Sequence, residues 1–318
     1  MRTRLGIGFL LALALSCGQP KKQAPQAPAT REFPMAEIPM MITEPEQRAD
    51  WIALHFWDPF TQADKLYFCD SVTVNGVTAD KLEQQVGLFA SILQQISIPA
   101  GQEAMKAAFG RLEAFQKAQP EGNVFAHTSS LISRYLYDPN SPVRNEDLYL
   151  PYVSLLAASD LVNDEEKRQY AWDAKVCSLN QTGSPAADFT FVDTAGRRRT
   201  LYGIQADYTL LIFGNPDCNA CREIMEQMAA SPEISALITS GRLKVADVYI
   251  DEDLDLWKEK KDTYPKEWIN GYDPDFVIRT DRLYAVRAVP SLYLLDKKKN
   301  VLMKDALPEY VLNALTLL

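Results

Sequence analysis

At 318 residues, 47% of them hydrophobic, the chain is long enough for about two domains with buried cores. Its formal net charge of -9 and sequence pI near 4.9 lack the basic footprint that a phosphate backbone attracts, which argues against nucleic acid as a partner.

The chain opens on Met1-Arg2-Thr3-Arg4, runs without a charge from Leu5 to Ser16, and then reaches Cys17 and the polar run Gly18-Gln19-Pro20-Lys21-Lys22. A basic start followed by a short apolar stretch is an export signal, and the stretch is shorter than the roughly 20 residues that span a bilayer. Ala14-Leu15-Ser16-Cys17 looks like a bacterial lipoprotein cleavage box, which implies a signal peptide over 1–16 and a lipid on Cys17. Residues 17–43 are expected as a Gln-, Pro- and Ala-rich tether holding a folded body off the membrane, facing the periplasm.

An all-α domain is expected over 44–180. Leu82, Val86, Phe89, Leu93 and Ile96 recur at three and four residues, one apolar stripe on a helix starting near Thr78. Pro99-Ala100-Gly101 reads as a breaker, after which Met105, Phe109, Leu112 and Phe115 repeat the stripe. The Pro- and Asn-rich stretch from Tyr137 to Asn145 is expected as a loop. A helix from Asp164 to Cys177 is expected behind Asn163 as its cap, with Glu166 completing a capping box. His55 and His127 read as packing or surface residues; Cys69 and Cys177 could be bridged in an exported protein, but read rather as separate buried thiols.

After Gly183-Ser184-Pro185 short β-like runs alternate with helices, the pattern of an α/β domain over 181–318. Strands are expected at Phe189 to Val192, Thr209 to Phe213, Leu243 to Ile250, Ser291 to Leu295 and Val301 to Lys304. The last two should be joined by a hairpin at Lys297-Lys298-Lys299-Asn300. Helices are expected after Cys218, over about Asp253 to Asp262, and from Pro308 onward. Trp257, Trp268 and Tyr272 lie in an insertion and read as packing under a surface helix.

The apolar strand Thr209 to Phe213 and the turn Gly214-Asn215-Pro216-Asp217 deliver Cys218-Asn219-Ala220-Cys221 to a helix start. A sulfur there faces unpaired N–H groups and the positive end of the helix dipole, which favours the thiolate, so Cys218 is expected as the nucleophile. Cys221 follows one turn later on nearly the same face, placed to resolve a mixed disulfide. Zinc needs more ligands than one CxxC, and the two histidines lie far away in sequence, so no metal is expected.

Gly183-Ser184-Pro185-Ala186-Ala187-Asp188-Phe189, the strand Thr209 to Phe213, Cys218-Asn219-Ala220-Cys221 and Val289-Pro290 together resemble the TlpA/ResA class of thioredoxin-like oxidoreductases. The resemblance implies a thioredoxin-like fold with a central mixed sheet flanked by helices. It also implies a cis bond before Pro290, and a Val289 backbone that pairs with an extended substrate segment. His55 to Phe60 and Ser141 to Glu146 look like the helical domain of unknown function that precedes such modules in Bacteroides-type lipoproteins.

Departures from the family pattern fall beside the dithiol. Asp217 stands where thioredoxin has Trp; its carboxylate would disfavour ionisation of Cys218 unless Arg222 offsets it, or it is a turn residue capping the helix. No acid occurs in the strand Thr209 to Phe213, and Ile224 occupies the place where the ResA pattern has one, so the proton acceptor is unassigned. Glu223 and Glu226 read as solvated helix residues rather than bases. Asn215 and Leu211 stand where a peroxidatic motif has Thr and Pro, which disfavours peroxide reduction.

The sequence thus points to a cell-envelope thiol–disulfide oxidoreductase whose redox group is the Cys218/Cys221 pair, with no other cofactor. Its expected partners are disulfides or thiols of exported proteins and an upstream membrane thiol–disulfide electron donor. The alternative is a lipid-anchored binding module in which the dithiol is not catalytic.

Overall fold

The computed structural model describes residues 30–62, 67, 69, 70 and 72–318. The stretch expected as an export signal and Cys17 lie outside the described residues, and so do residues 17–29 of the expected tether. Of the tether's described part, Phe33 is not free. It is buried against the helical domain, its ring stacked on Phe60 at 5.0 Å and edge-on to Trp57 at 5.8 Å. A large aromatic ring gains roughly 2–3 kcal/mol from such burial, which anchors this segment to the helices.

The helical domain comprises α1 (Pro45–His55), α2 (Ala79–Leu93), α3 (Ile98–Ala118), α4 (Val124–Leu136), α5 (Glu146–Ala158) and α6 (Asp164–Cys177). The stripe on α2 packs inward through Leu82, Val86, Phe89 and Leu93. Met105, Phe109, Leu112 and Phe115 do the same on α3. Pro99 does not break the chain; it stands in the first turn of α3, whose N–H groups have no helical partner in any case, while Ser97 caps the helix at 3.3 Å from the Ala100 amide. The capping box of Asn163 and Glu166 forms as expected. A small hairpin, β1 (Thr73–Val74) and β2 (Val77–Thr78), adds to the helices; Asn75-Gly76, both at positive φ, form its turn, the residue pair that such tight hairpins favour.

The second domain is a seven-stranded sheet in the order β4-β3-β7-β6-β5-β8-β9. Its strands are β3 (Thr190–Asp193), β4 (Arg198–Thr200), β5 (Tyr208–Gly214), β6 (Leu243–Tyr249), β7 (Ile269–Tyr272), β8 (Ser291–Leu295) and β9 (Val301–Met303). β5, β6 and β7 run parallel and the remaining pairs antiparallel, so the sheet is mixed. β5 and β6 are buried almost throughout, as central strands covered on both faces must be. The helices are α7 (Asn219–Ala230), α8 (Pro232–Thr239), α9 (Leu254–Lys260), α10 (Val277–Thr280) and α11 (Pro308–Thr316).

Alternation along the strands sorts the core. Leu210, Ile212 and Val245 pack with Ile224 and Met228 of α7 on one face, whereas Leu211, Phe213, Ala246 and Val248 pack with Phe189, Tyr284 and Tyr293 on the other. Trp257 and Trp268 are buried, Trp257 donating its indole N–H to Asn270 at 2.8 Å. Among the described residues no helix is long and apolar enough to cross a membrane.

Candidate active site

β5 ends at Gly214, and the turn that follows is built by Asn215. Its side-chain oxygen accepts from the Asp217 amide at 2.9 Å, its carbonyl accepts from the Cys218 amide at 3.0 Å, and its own amide group donates to Asp251 at 2.8 Å. The turn aims Cys218 into the N-cap position of α7, extended at φ -77° and ψ 121°. There its Sγ accepts from the Cys221 amide at 3.4 Å and lies 3.8 Å from the Val289 carbonyl oxygen. The thiol thus satisfies one of the helix's unpaired donors, the environment that sequence spacing implied.

The two sulfurs differ in access. Cys218 is half-buried and Cys221 is buried. Burial pushes the Cys221 thiol above its ordinary range, and the hydrogen-bonded Cys218 and nearby Asp247 push it further. An outer sulfur open to a client and an inner one shielded until exchange begins is the division of labour that resolution of a mixed disulfide requires.

Val289 and Pro290 meet this dithiol from the far side, immediately before β8, and the bond between them is cis. The Val289 carbonyl faces Cys218, and among the described residues its N–H donates to no acceptor, so this backbone edge is unpaired.

Asp247 is the acid that sequence reasoning missed. It sits on β6 opposite Ile212 of β5, on the face that α7 covers. Only 3% exposed, it has its pKa pushed up to about 8 by burial alone. Gly214 makes room for it: a Cβ at that position would come within 2.9 Å of an Asp247 carboxyl oxygen. Tyr264 closes the same space, its phenol pushed up by burial and then by Asp247, Cys221 and Cys218. A single carboxylate inside the otherwise apolar run Val245 to Ile250 was the available signal.

The other residues singled out by sequence do not join this group. Asp217 is exposed and is not the cap of α7; Cys218 is. Arg222 turns back to the Pro216 carbonyl at 3.4 Å and to the Asn219 side chain, and among the described residues it forms no ion pair with Asp217. Glu223 and Glu226 are exposed on α7. His55 lies in the helical domain, 2.6 Å from Asp58, and His127 stands on α4, both apart from the dithiol.

A family model described as a domain of unknown function, DUF5106, matches residues 16–180. The crystal structure of a thioredoxin-like protein from Bacteroides caccae is 35% identical, covering 91% of this chain and 99% of that chain at a TM-score of 0.77. The C-terminal domain of an uncharacterized protein from Bacteroides fragilis is 46% identical over 43% of this chain and 97% of its own, with a TM-score of 0.42. Among curated proteins none matches the chain.

Proposed function

The chain belongs to the thioredoxin-like proteins that carry an amino-terminal DUF5106 domain, and from that footing we propose that it is a dithiol–disulfide oxidoreductase acting through Cys218 and Cys221. The observation that carries the reading is the Cys218 sulfur at the start of α7, with Cys221 one turn behind it and the Val289 carbonyl 3.8 Å away.

In the reducing direction the Cys218 thiolate attacks a client disulfide. One S–S bond breaks as the Cys218–client S–S bond forms, and the departing client sulfur takes a proton. Cys221 then gives up its proton and attacks the Cys218 sulfur. The second client sulfur leaves as a thiol, and the protein is left with a Cys218–Cys221 disulfide. Two electrons and two protons have passed to the client. Asp247, the buried acid under α7, is the group we assign to take the Cys221 proton. With a pKa of about 8, it is ionised in on the order of a tenth of molecules near neutrality, and that carboxylate can take the Cys221 proton as the sulfur attacks and return it afterwards.

The client class follows from the amino-terminal sequence: an export signal and a lipidated Cys17 would hold the domain in the cell envelope, among exported proteins. A membrane thiol–disulfide donor there would return the dithiol to its reduced state. The test is exchange of the reduced full chain, lacking its export signal, with a disulfide-bonded peptide. Turnover well above the uncatalysed thiol rate is expected, and a rate no faster than that of free cysteine contradicts the assignment.

A further inference from the structure

The segment between α10 and β8, residues 281–290, carries Val289 and Pro290, and it rests on the helical domain at three places. Arg282 lies 3.9 Å over the Trp172 ring of α6. The Leu283 carbonyl accepts from the Asn180 side chain at 2.7 Å. Arg287, three residues before Pro290, stacks over the Tyr137 ring at 4.1 Å, donates to the Tyr137 carbonyl and stands 2.9 Å from Glu146 at the start of α5.

The residue after Pro290 is tied to the same helix start by another route. Ser291 donates to Asp305 at 2.7 Å, and Asp305 faces Arg144 at 3.4 Å. Between the two routes lies Lys304, 3.0 Å from Glu146, 3.8 Å from Asp147 and donating to the Cys177 carbonyl at 2.6 Å. Apart from Arg287, at 17% exposed, every side chain in this cluster is at least nine-tenths buried. Arg144, Arg287 and Lys304 balance Glu146, Asp147 and Asp305, so the cluster is neutral as a whole, whereas neither domain alone supplies matching charges. Removing one partner from such a group leaves a buried charge uncompensated, which makes the arrangement rigid and the two domains interdependent.

We propose that the helical domain is the positioning element of the Val289–Pro290 loop: Trp172, Asn180, Tyr137 and Glu146 fix residues 282–287, and Arg144 fixes Ser291 through Asp305, so that the Val289 backbone edge is held above Cys218 for an extended client segment. The proposal rests on the exchange reaction assigned above and gives the DUF5106 region a part in it. Arg287 is a positioning residue; it touches neither sulfur.

The test uses the full chain carrying Glu146→Gln and Lys304→Gln, which removes one charge of each sign and leaves Arg282 and Arg287 as trypsin sites. Limited trypsin digestion mapped by mass should nick the 282–287 segment at least tenfold faster than in the parent, because cleavage reports local opening. In exchange with a disulfide-bonded peptide, KM should rise roughly fivefold to tenfold while kcat stays within about twofold. Alkylation of Cys218 by a small reagent should keep its rate. Unchanged nicking overturns the proposal, as does a fall in kcat matched by slower alkylation, which would place the damage at the dithiol. Trp172→Ala, at a residue 39% exposed, gives the same trypsin readout if the double variant does not fold. A parent protein without any exchange activity would defeat the functional reading, while the trypsin measurement would still decide the positioning role.

Discussion

Asp247→Asn is expected to stabilise the α/β domain at alkaline pH and to slow disulfide exchange near neutrality. The sign follows from the pKa. The carboxyl is pushed from the ordinary value of about 4 up to about 8 in the folded protein. Folding is therefore favoured by the proton it retains: that contribution is complete below about pH 4 and is lost as pH rises through about 8. Holding the carboxylate in place at pH 9 costs up to about 5 kcal/mol. An amide of the same shape does not ionise, so the variant should unfold roughly 10 °C higher than the parent at pH 9. The difference should shrink to little at pH 4. The same substitution removes the acceptor for the Cys221 proton, and exchange at pH 7 should slow by about tenfold to a hundredfold. Thermal unfolding across pH, paired with peptide-disulfide kinetics, reads both effects. A variant that unfolds earlier than the parent at pH 9, or that exchanges at the parental rate, contradicts the role given to Asp247.

Cys221→Ala is expected to stall the reaction halfway. Cys218 can still attack and form the client S–S bond, but the sulfur one turn behind it is gone. Release then depends on an outside thiol, which forfeits the advantage of a partner held in place and slows resolution by roughly a thousandfold or more. Mixed disulfides should accumulate on Cys218 and be visible as a mass increase that dithiothreitol reverses. Cys218→Ser should form none and should turn over client at the uncatalysed rate, since Cys221 is buried and its thiol is held protonated. Covalent complexes on Cys218→Ser instead of Cys221→Ala would reverse the two roles.

Much of this site was legible because its parts are local in sequence. An apolar strand, a Pro-Asp turn and CxxC at a helix start announce themselves within fifteen or so residues, and Val289-Pro290 stands directly before another apolar strand. Asp247 was not legible in the same way. The family pattern implies an acid on β5 or just after Cys221, whereas Asp247 lies on the neighbouring parallel strand, and only strand order and register bring it under α7. β7 carries no strand signal, because Ile269-Asn270-Gly271-Tyr272 lacks an apolar run; Gly271 is required there, since a Cβ would come within 2.6 Å of the Phe191 ring and the Val192 carbonyl. β4, Arg198-Arg199-Thr200, is a charged edge, polar by the need to avoid pairing with other chains. α5 carries Pro151 within it, and burial of Leu148, Tyr152 and Val153 holds the helix across that residue. The buried charges joining the domains were beyond reach, because Arg144 and Asp305 are 161 residues apart and nothing in either segment names its partner.

The central claim is that Cys218 and Cys221 interconvert between dithiol and disulfide. Equilibration of the full chain, lacking its export signal, in glutathione buffers of graded ratio, followed by acid quenching and peptide mass mapping, tests it most directly. The account predicts one reversible Cys218–Cys221 disulfide, forming in a single two-electron transition while Cys69 and Cys177 remain thiols. Absence of that disulfide at every ratio, or pairing of Cys218 with Cys69 or Cys177, would contradict it.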